Sequence, residues 1–125
     1  MSFTILLVDD DPVIRESFPV YFSKAPDLEV IATATNGRSA LTWLNNHTCD
    51  IVLSDVRMPD MDGIELLKKL NSFDAPPVFV VMTAYDTDDT MITSLARGAS
   101  GYVIKGQPPQ KIIQALRDAL NGGTS

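Results

Sequence analysis

The chain has 125 residues, about the size of one compact domain, and its 45% hydrophobic content suffices for one core. With 16 Asp and Glu against 10 Lys and Arg the formal charge is −6, the wrong sign for neutralising a phosphate backbone, so direct nucleic-acid binding is not expected. The single cysteine, Cys49, excludes an intrachain disulfide, no apolar run nears the roughly 20 residues of a membrane span, and the start has no signal-peptide pattern, so the expected compartment is a reducing cytoplasm.

The first apolar run, residues 5–8, is short, as a buried strand is, and ends in Asp9-Asp10-Asp11. Asp11 followed by Pro12 predicts a helix start, the carboxylate capping free amides and the proline filling the first turn. Val13, Ile14, Phe18, Tyr21 and Phe22 keep helical spacing, with a kink expected at Pro19, which removes a hydrogen bond and crowds the preceding turn. A second strand is predicted at 28–32, then a helix carrying Ala40, Leu41, Trp43 and Leu44. A third strand at 51–53 runs towards Asp55, and Ile64, Leu66, Leu67 and Leu70 mark the third helix. A fourth strand at 78–82 leads to Thr83, followed by a helix with Met91, Ile92, Leu95 and Ala96. The fifth strand, 102–104, leads to Lys105, and the last helix carries Ile112, Ile113, Leu116 and Leu120. Residues 121–125 read as a helix stop and flexible chain, giving a domain at 1–121 and a tail or linker start at 122–125.

Five strands alternating with five helices predict a doubly wound α/β fold, a five-stranded parallel sheet with helices on both faces. Ligands of such sheets bind beyond the carboxyl ends of the strands, where this chain places Asp9, Asp10, Asp55, Thr83 and Lys105. Two carboxylates about 4 Å apart repel by roughly 4 kcal/mol at an effective dielectric near 20, so the cluster must protonate or recruit a cation. A hard divalent ion such as Mg²⁺, bound through one or two carboxylates with waters and phosphate oxygens, suits Asp9, Asp10 and Asp55. A carboxylate is also a nucleophile towards phosphorus, and Thr83 with Lys105 offers partners for phosphoryl oxygens. Each residue alone has a plainer reading: Asp-Asp-Asp as a solvated loop, Thr83 as a turn residue, Lys105 as a surface lysine. Their placement at successive strand ends argues against all three together.

The stretches VDDDP, LSDVRMPDMDG, VVMTA and GASGYVIK closely resemble, in this order and spacing, the receiver domains of bacterial two-component response regulators. The resemblance covers essentially the whole chain. It implies the strand order 2-1-3-4-5, Asp55 as phosphoacceptor, and Mg²⁺ or Mn²⁺ held by Asp9, Asp10, Asp55 and the backbone carbonyl of Arg57. It also implies that Thr83 and Lys105 hold phosphoryl oxygens, that Tyr102 couples to Thr83 as the switch, and that Pro59 and Gly63 shape the loop after the third strand. The donor would be a phosphohistidine on a sensor histidine kinase, and the chain a regulatory domain rather than an enzyme. The output would be read on the fourth predicted helix, fifth strand and fifth predicted helix, with homodimerisation open.

Two features refine the resemblance. Lys105 is followed by Gly106 where many receivers have proline, so no cis-proline turn is expected. That form, with Gly101 before Tyr102, is more similar to receivers attached to LuxR-type DNA-binding domains, which would lie C-terminal to this chain. Arg57 and Tyr85, two positions beyond Asp55 and Thr83, would either shield the acyl phosphate from water or be plain exposed loop residues. A small haloacid dehalogenase-type phosphohydrolase would use Asp9 and Asp11 as a DxD pair, and a stand-alone receiver or a flavodoxin-like carrier are further alternatives. The carrier lacks a Ser/Thr/Gly-rich phosphate loop. His47 is expected at a helix end, Cys49 as a small buried hydrophobe, and Trp43, Met82 and Met91 as packing residues.

Overall fold

The computed structural model describes residues 2–84, 93 and 97–122. Five parallel strands form one sheet in the order β2-β1-β3-β4-β5: β1 Phe3–Val8, β2 Leu28–Ala34, β3 Ile51–Asp55, β4 Val78–Thr83 and β5 Gly101–Ile104. Among the described residues the helices are α1 (Pro12–Phe22), α2 (Gly37–Asn46), α3 (Gly63–Leu70) and α4 (Pro109–Leu120). Residues 91, 92, 95 and 96 of the predicted fourth helix lie outside the described residues, so α4 is the fifth predicted helix.

The three central strands are buried on both sides, which explains their continuous apolar runs. Alternate residues feed two cores. Ile5, Leu7, Leu53, Val80 and Val103 pack under α1 and α4 with Phe18, Phe22, Ile112 and Leu116. Leu6, Val8, Val52, Phe79 and Val81 pack under α2 and α3 with Ala40, Leu44, Leu66 and Leu70. β2 departs from the buried pattern: it is an edge strand with alternating exposure, Ile31 is 41% exposed, and it runs two residues further than predicted.

Helix starts follow the side-chain chemistry. Val13 N–H donates to Asp11 Oδ1 at 2.9 Å, and Pro12 occupies the first turn, as Asp11-Pro12 predicted. α1 runs unbroken through Pro19 to Phe22. α2 and α3 begin with reciprocal caps, Asn36 with Ser39 and Asp62 with Glu65.

A bidentate pair joins α4 to the turn before β2: Arg117 Nε and Nη2 each lie 2.8 Å from an Asp27 carboxylate oxygen. Hydrogen bonding to Arg117 holds the Asp27 carboxyl below its ordinary value of 3.8. A depressed carboxylate pKa contributes stability that is present above 3.8 and lost as pH falls through the folded-state value. Asp27→Asn is therefore expected to lower the unfolding midpoint slightly at pH 7. The gap to wild type should close as pH drops below 3.8, which thermal melts across pH would check.

Candidate functional site

Parallel register brings the strand ends to one edge of the sheet: Val8 pairs with Ser54, Asp55 with Met82, and Thr83 with Ile104. The residues at or just beyond those ends are Asp9, Asp10, Asp55, Thr83 and Lys105, the set singled out from sequence. Asp9, Asp55 and Thr83 are buried, Asp10 is exposed, and Lys105 is partly buried. Asp55 and Thr83 are the last residues of their strands rather than the first of the following loops.

One carboxylate oxygen from each of Asp9, Asp10 and Asp55 lies within 4.8 Å of the others. The Lys105 ammonium sits between two of them, 2.9 Å from Asp9 Oδ2 and 3.2 Å from Asp55 Oδ2. The Asp9 contact is an ion pair by distance only. Asp9 Oδ2 is buried and receives no aligned hydrogen bond, whereas Asp9 Oδ1 accepts from Asp11 N–H at 2.9 Å. A buried carboxylate oxygen without a directed donor, facing two further carboxylates, is a donor set that fits a hard divalent cation.

Burial pushes the Asp55 carboxyl above its ordinary 3.8; the Lys105 charge opposes this and the Asp9 charge adds to it. The backbone amide of Arg57 also bonds the Asp55 carboxylate. Burial pulls the Lys105 pKa down, but the close contact with Asp9 and the charges of Asp55 and Asp9 outweigh that and raise it. Lys105 is thus shared between Asp9 and Asp55, and burial disfavours the ionised form of Asp55 despite it.

Tyr102 is half-buried on β5, paired with Val81 and lining a cleft of about 220 Å³ with Gln107, Lys111, Gln114 and Asp118. Arg57 is exposed, and Tyr85 and Met91 lie outside the described residues. The Asp11 carboxylate caps α1 through Val13 N–H, which argues against its use as the second member of a DxD pair. No cis peptide occurs among the described residues, in line with Gly106 after Lys105.

The residues set aside fall close to expectation. His47 caps the end of α2, exposed, its ring stacked on Trp43 at 4.7 Å. Trp43 is half-buried against the α2/α3 core, and Met82 is fully buried. Cys49 is only half-buried, because it precedes β3 rather than lying in it, and burial still pushes its thiol up to about 11. Sequence reasoning missed Arg15, whose Nη1 donates to the Asp9 carbonyl at 2.8 Å, and the contacts of Gly37 and Arg38 with the loop after β3.

A family model described as the response regulator receiver domain matches residues 5–117 of this chain. The chain belongs to that family. Over 119 residues this receiver is 35% identical to the nitrate/nitrite response regulator protein NarL of Escherichia coli (strain K12), covering 95% of the chain and 55% of that protein. It is 36% identical over 120 residues to the transcriptional regulatory protein LnrK of Bacillus subtilis (strain 168), covering 95% and 54%. The receiver thus spans about half the length of the curated relatives it matches. Among solved structures, a LuxR-family two-component response regulator from Aurantimonas sp. SI85-9A1 superposes with a TM-score of 0.91 at 28% identity, covering 100% of this chain and 90% of that one. The receiver domain of the putative response regulator NarL from Mycobacterium tuberculosis gives 0.88 at 28%, covering 97% and 98%. The likeness to NarL- and LuxR-type receivers expected from Gly101 and Gly106 therefore holds. No helix among the described residues is long and apolar enough to cross a membrane.

Proposed function

We propose that this receiver is a phosphoacceptor switch in which Asp55 takes a phosphoryl group from a phosphohistidine of a sensor histidine kinase. The observation that carries the reading is the buried Asp55 carboxylate at the end of β3, with Lys105 Nζ at 3.2 Å and the Asp9 and Asp10 carboxylates beside it. The P–N bond of the donor breaks as an Asp55 carboxylate oxygen bonds to phosphorus; with the other ring nitrogen of the phosphohistidine already protonated, the P–N electron pair stays on the ring and a neutral imidazole leaves, with an acyl phosphate formed here. Asp9, Asp10, Asp55 and the Arg57 carbonyl would hold Mg²⁺ or Mn²⁺, which supplies charge neutralisation for the phosphoryl oxygens when bound.

The chain's own groups do the remainder. Asp55 needs no deprotonation by a base, and Lys105, already at the nucleophile, neutralises one phosphoryl oxygen. Thr83 ends the neighbouring strand β4, and its hydroxyl would bond another phosphoryl oxygen. Movement of Thr83 towards the phosphoryl group would free space for Tyr102, biasing a two-state surface formed by the fourth predicted helix, β5 and α4. The receiver unit is 1–121 with a tail or linker from 122. The whole protein carries a C-terminal LuxR-type DNA-binding domain and works in the cytoplasm, a reading supported by relatives about twice this length. The chain is regulatory, assisting only its own phosphorylation and dephosphorylation.

Incubation with a small phosphodonor and Mg²⁺ tests this: a stable mass increase at Asp55 is expected, and continuous turnover without it would refute the reading. Asp10→Asn is expected to weaken Mg²⁺ binding at least tenfold, roughly the cost of one ligand, and to block phosphorylation. Asp11→Asn, still a good helix cap, should do neither, as calorimetry and intact mass would show.

A further inference from the structure

We propose that the start of α2, through Gly37 and Arg38, positions the loop after β3 and thereby sets how tightly the acidic pocket holds a divalent cation. The proposal rests on the site reading above, in which the Arg57 carbonyl on that loop is a cation ligand.

The loop runs from Val56 to Asp62 and is closed at its base, where Gly63 N–H donates to the Val56 carbonyl at 3.0 Å. A Cβ on Gly63 would run into the Asp55 carbonyl oxygen, so α3 begins directly against the backbone of the phosphoacceptor. At the tip, Asp60 and Met61 have φ of 53° and 74°. That left-handed region is unfavourable for side-chain-bearing residues, and two in succession persist only where neighbours hold them.

Those neighbours come from α2. Gly37 N–H donates to the Met61 carbonyl at 2.8 Å, and Arg38 Nε bonds Asp60 Oδ1 at 2.9 Å. A Cβ on Gly37 would collide with the Met61 carbonyl oxygen and Cγ. Alanine is ordinarily preferred to glycine within a helix, so the requirement for glycine here comes from Met61. The α2 start is itself fixed by the Asn36–Ser39 cap. Both strained residues are thus tied to α2, while the other end of the loop places the Arg57 amide on the Asp55 carboxylate. A shift at the tip is transmitted through a short closed loop to Arg57. Gly37 and Arg38 touch none of the pocket carboxylates and are positioning residues.

The full chain is titrated with Mg²⁺ alone by calorimetry, with unfolding of the metal-free protein followed separately. Gly37→Ala is expected to raise the Mg²⁺ dissociation constant about tenfold, in the range for groups that orient metal ligands. Arg38→Ala should raise it about threefold with the metal-free unfolding midpoint nearly unchanged, because an exposed ion pair contributes little to folding. Arg38→Lys should recover part of the loss. Folded Gly37→Ala and Arg38→Ala proteins with wild-type Mg²⁺ affinity would overturn the proposal, and if Gly37→Ala does not fold the Arg38 variants decide it. Wild-type protein that takes up no Mg²⁺ would overturn the site reading and this proposal with it; normal wild-type binding matched by the variants overturns the positioning alone.

Discussion

Asp55→Asn is expected to abolish the phosphodonor-dependent mass increase and at the same time to raise the stability of the metal-free fold at pH 7. The first effect follows from losing the nucleophilic oxygen. The second follows from the direction of the Asp55 pKa. Burial and the Asp9 charge raise it despite Lys105, so the ionised form is disfavoured in the folded state. A raised carboxylate pKa means that stability falls as pH rises from 3.8 through the folded-state value, and the cost is complete above it. Asparagine keeps the shape and removes that cost, while Lys105 retains Asp9 at 2.9 Å. The advantage of the variant should be full at pH 7 and narrow as pH falls towards 3.8. Chemical denaturation at several pH values reads the second effect, and a variant less stable than wild type at pH 7 would contradict it.

The contrast between the two effects reflects what a receiver is built to do. A site that accepts a phosphoryl group and a divalent cation must assemble negative charge that the apo fold has no use for, and it is kept assembled by the sheet rather than by its own contacts. The register of β1, β3 and β4 fixes where the carboxylates stand whatever their charge state.

That register explains why the site was legible in the sequence. In a parallel sheet every apolar run ends at a predictable edge, so the residues following residues 5–8, 51–53, 78–82 and 102–104 could be gathered without coordinates. The Asp11 cap was equally local, decided by two adjacent residues. What could not be read depends on contacts between distant segments. Arg15 reaching back to the Asp9 carbonyl and Gly37 accepting no side chain because of Met61 leave no periodic trace. Asn36-Gly37 ahead of a helical run looks only like a helix start, and Asp60-Met61 gives no warning of positive φ, since Met rarely adopts it. The exposed face of β2 was missed for a similar reason: edge position is a property of strand order, and a short apolar run reads the same at the edge or the centre.

Lys105→Met should have the opposite sign in the metal-free protein, a loss of about 2 kcal/mol. Removing one partner of a buried pair leaves uncompensated charge, and the partial exposure of Lys105 tempers the full cost. The ammonium now lies among the oxygens that a divalent cation would use, 2.9 Å from Asp9 Oδ2 and 3.2 Å from Asp55 Oδ2. It is the internal counter-ion of the metal-free pocket, and a cation entering must compete with it. Mg²⁺ should therefore bind Lys105→Met more tightly than wild type, and saturating Mg²⁺ should restore most of the lost stability, because a ligand that binds only the folded state stabilises it by mass action. Phosphorylation should nonetheless fail or slow strongly, since in the proposed acceptor reaction the same ammonium would be the partner of a phosphoryl oxygen. Melting curves with and without Mg²⁺ separate the two roles. A variant whose stability does not respond to Mg²⁺ more than that of wild type would mean that Lys105 does not hold the cation's place. A variant phosphorylated at the wild-type rate would remove it from the transfer.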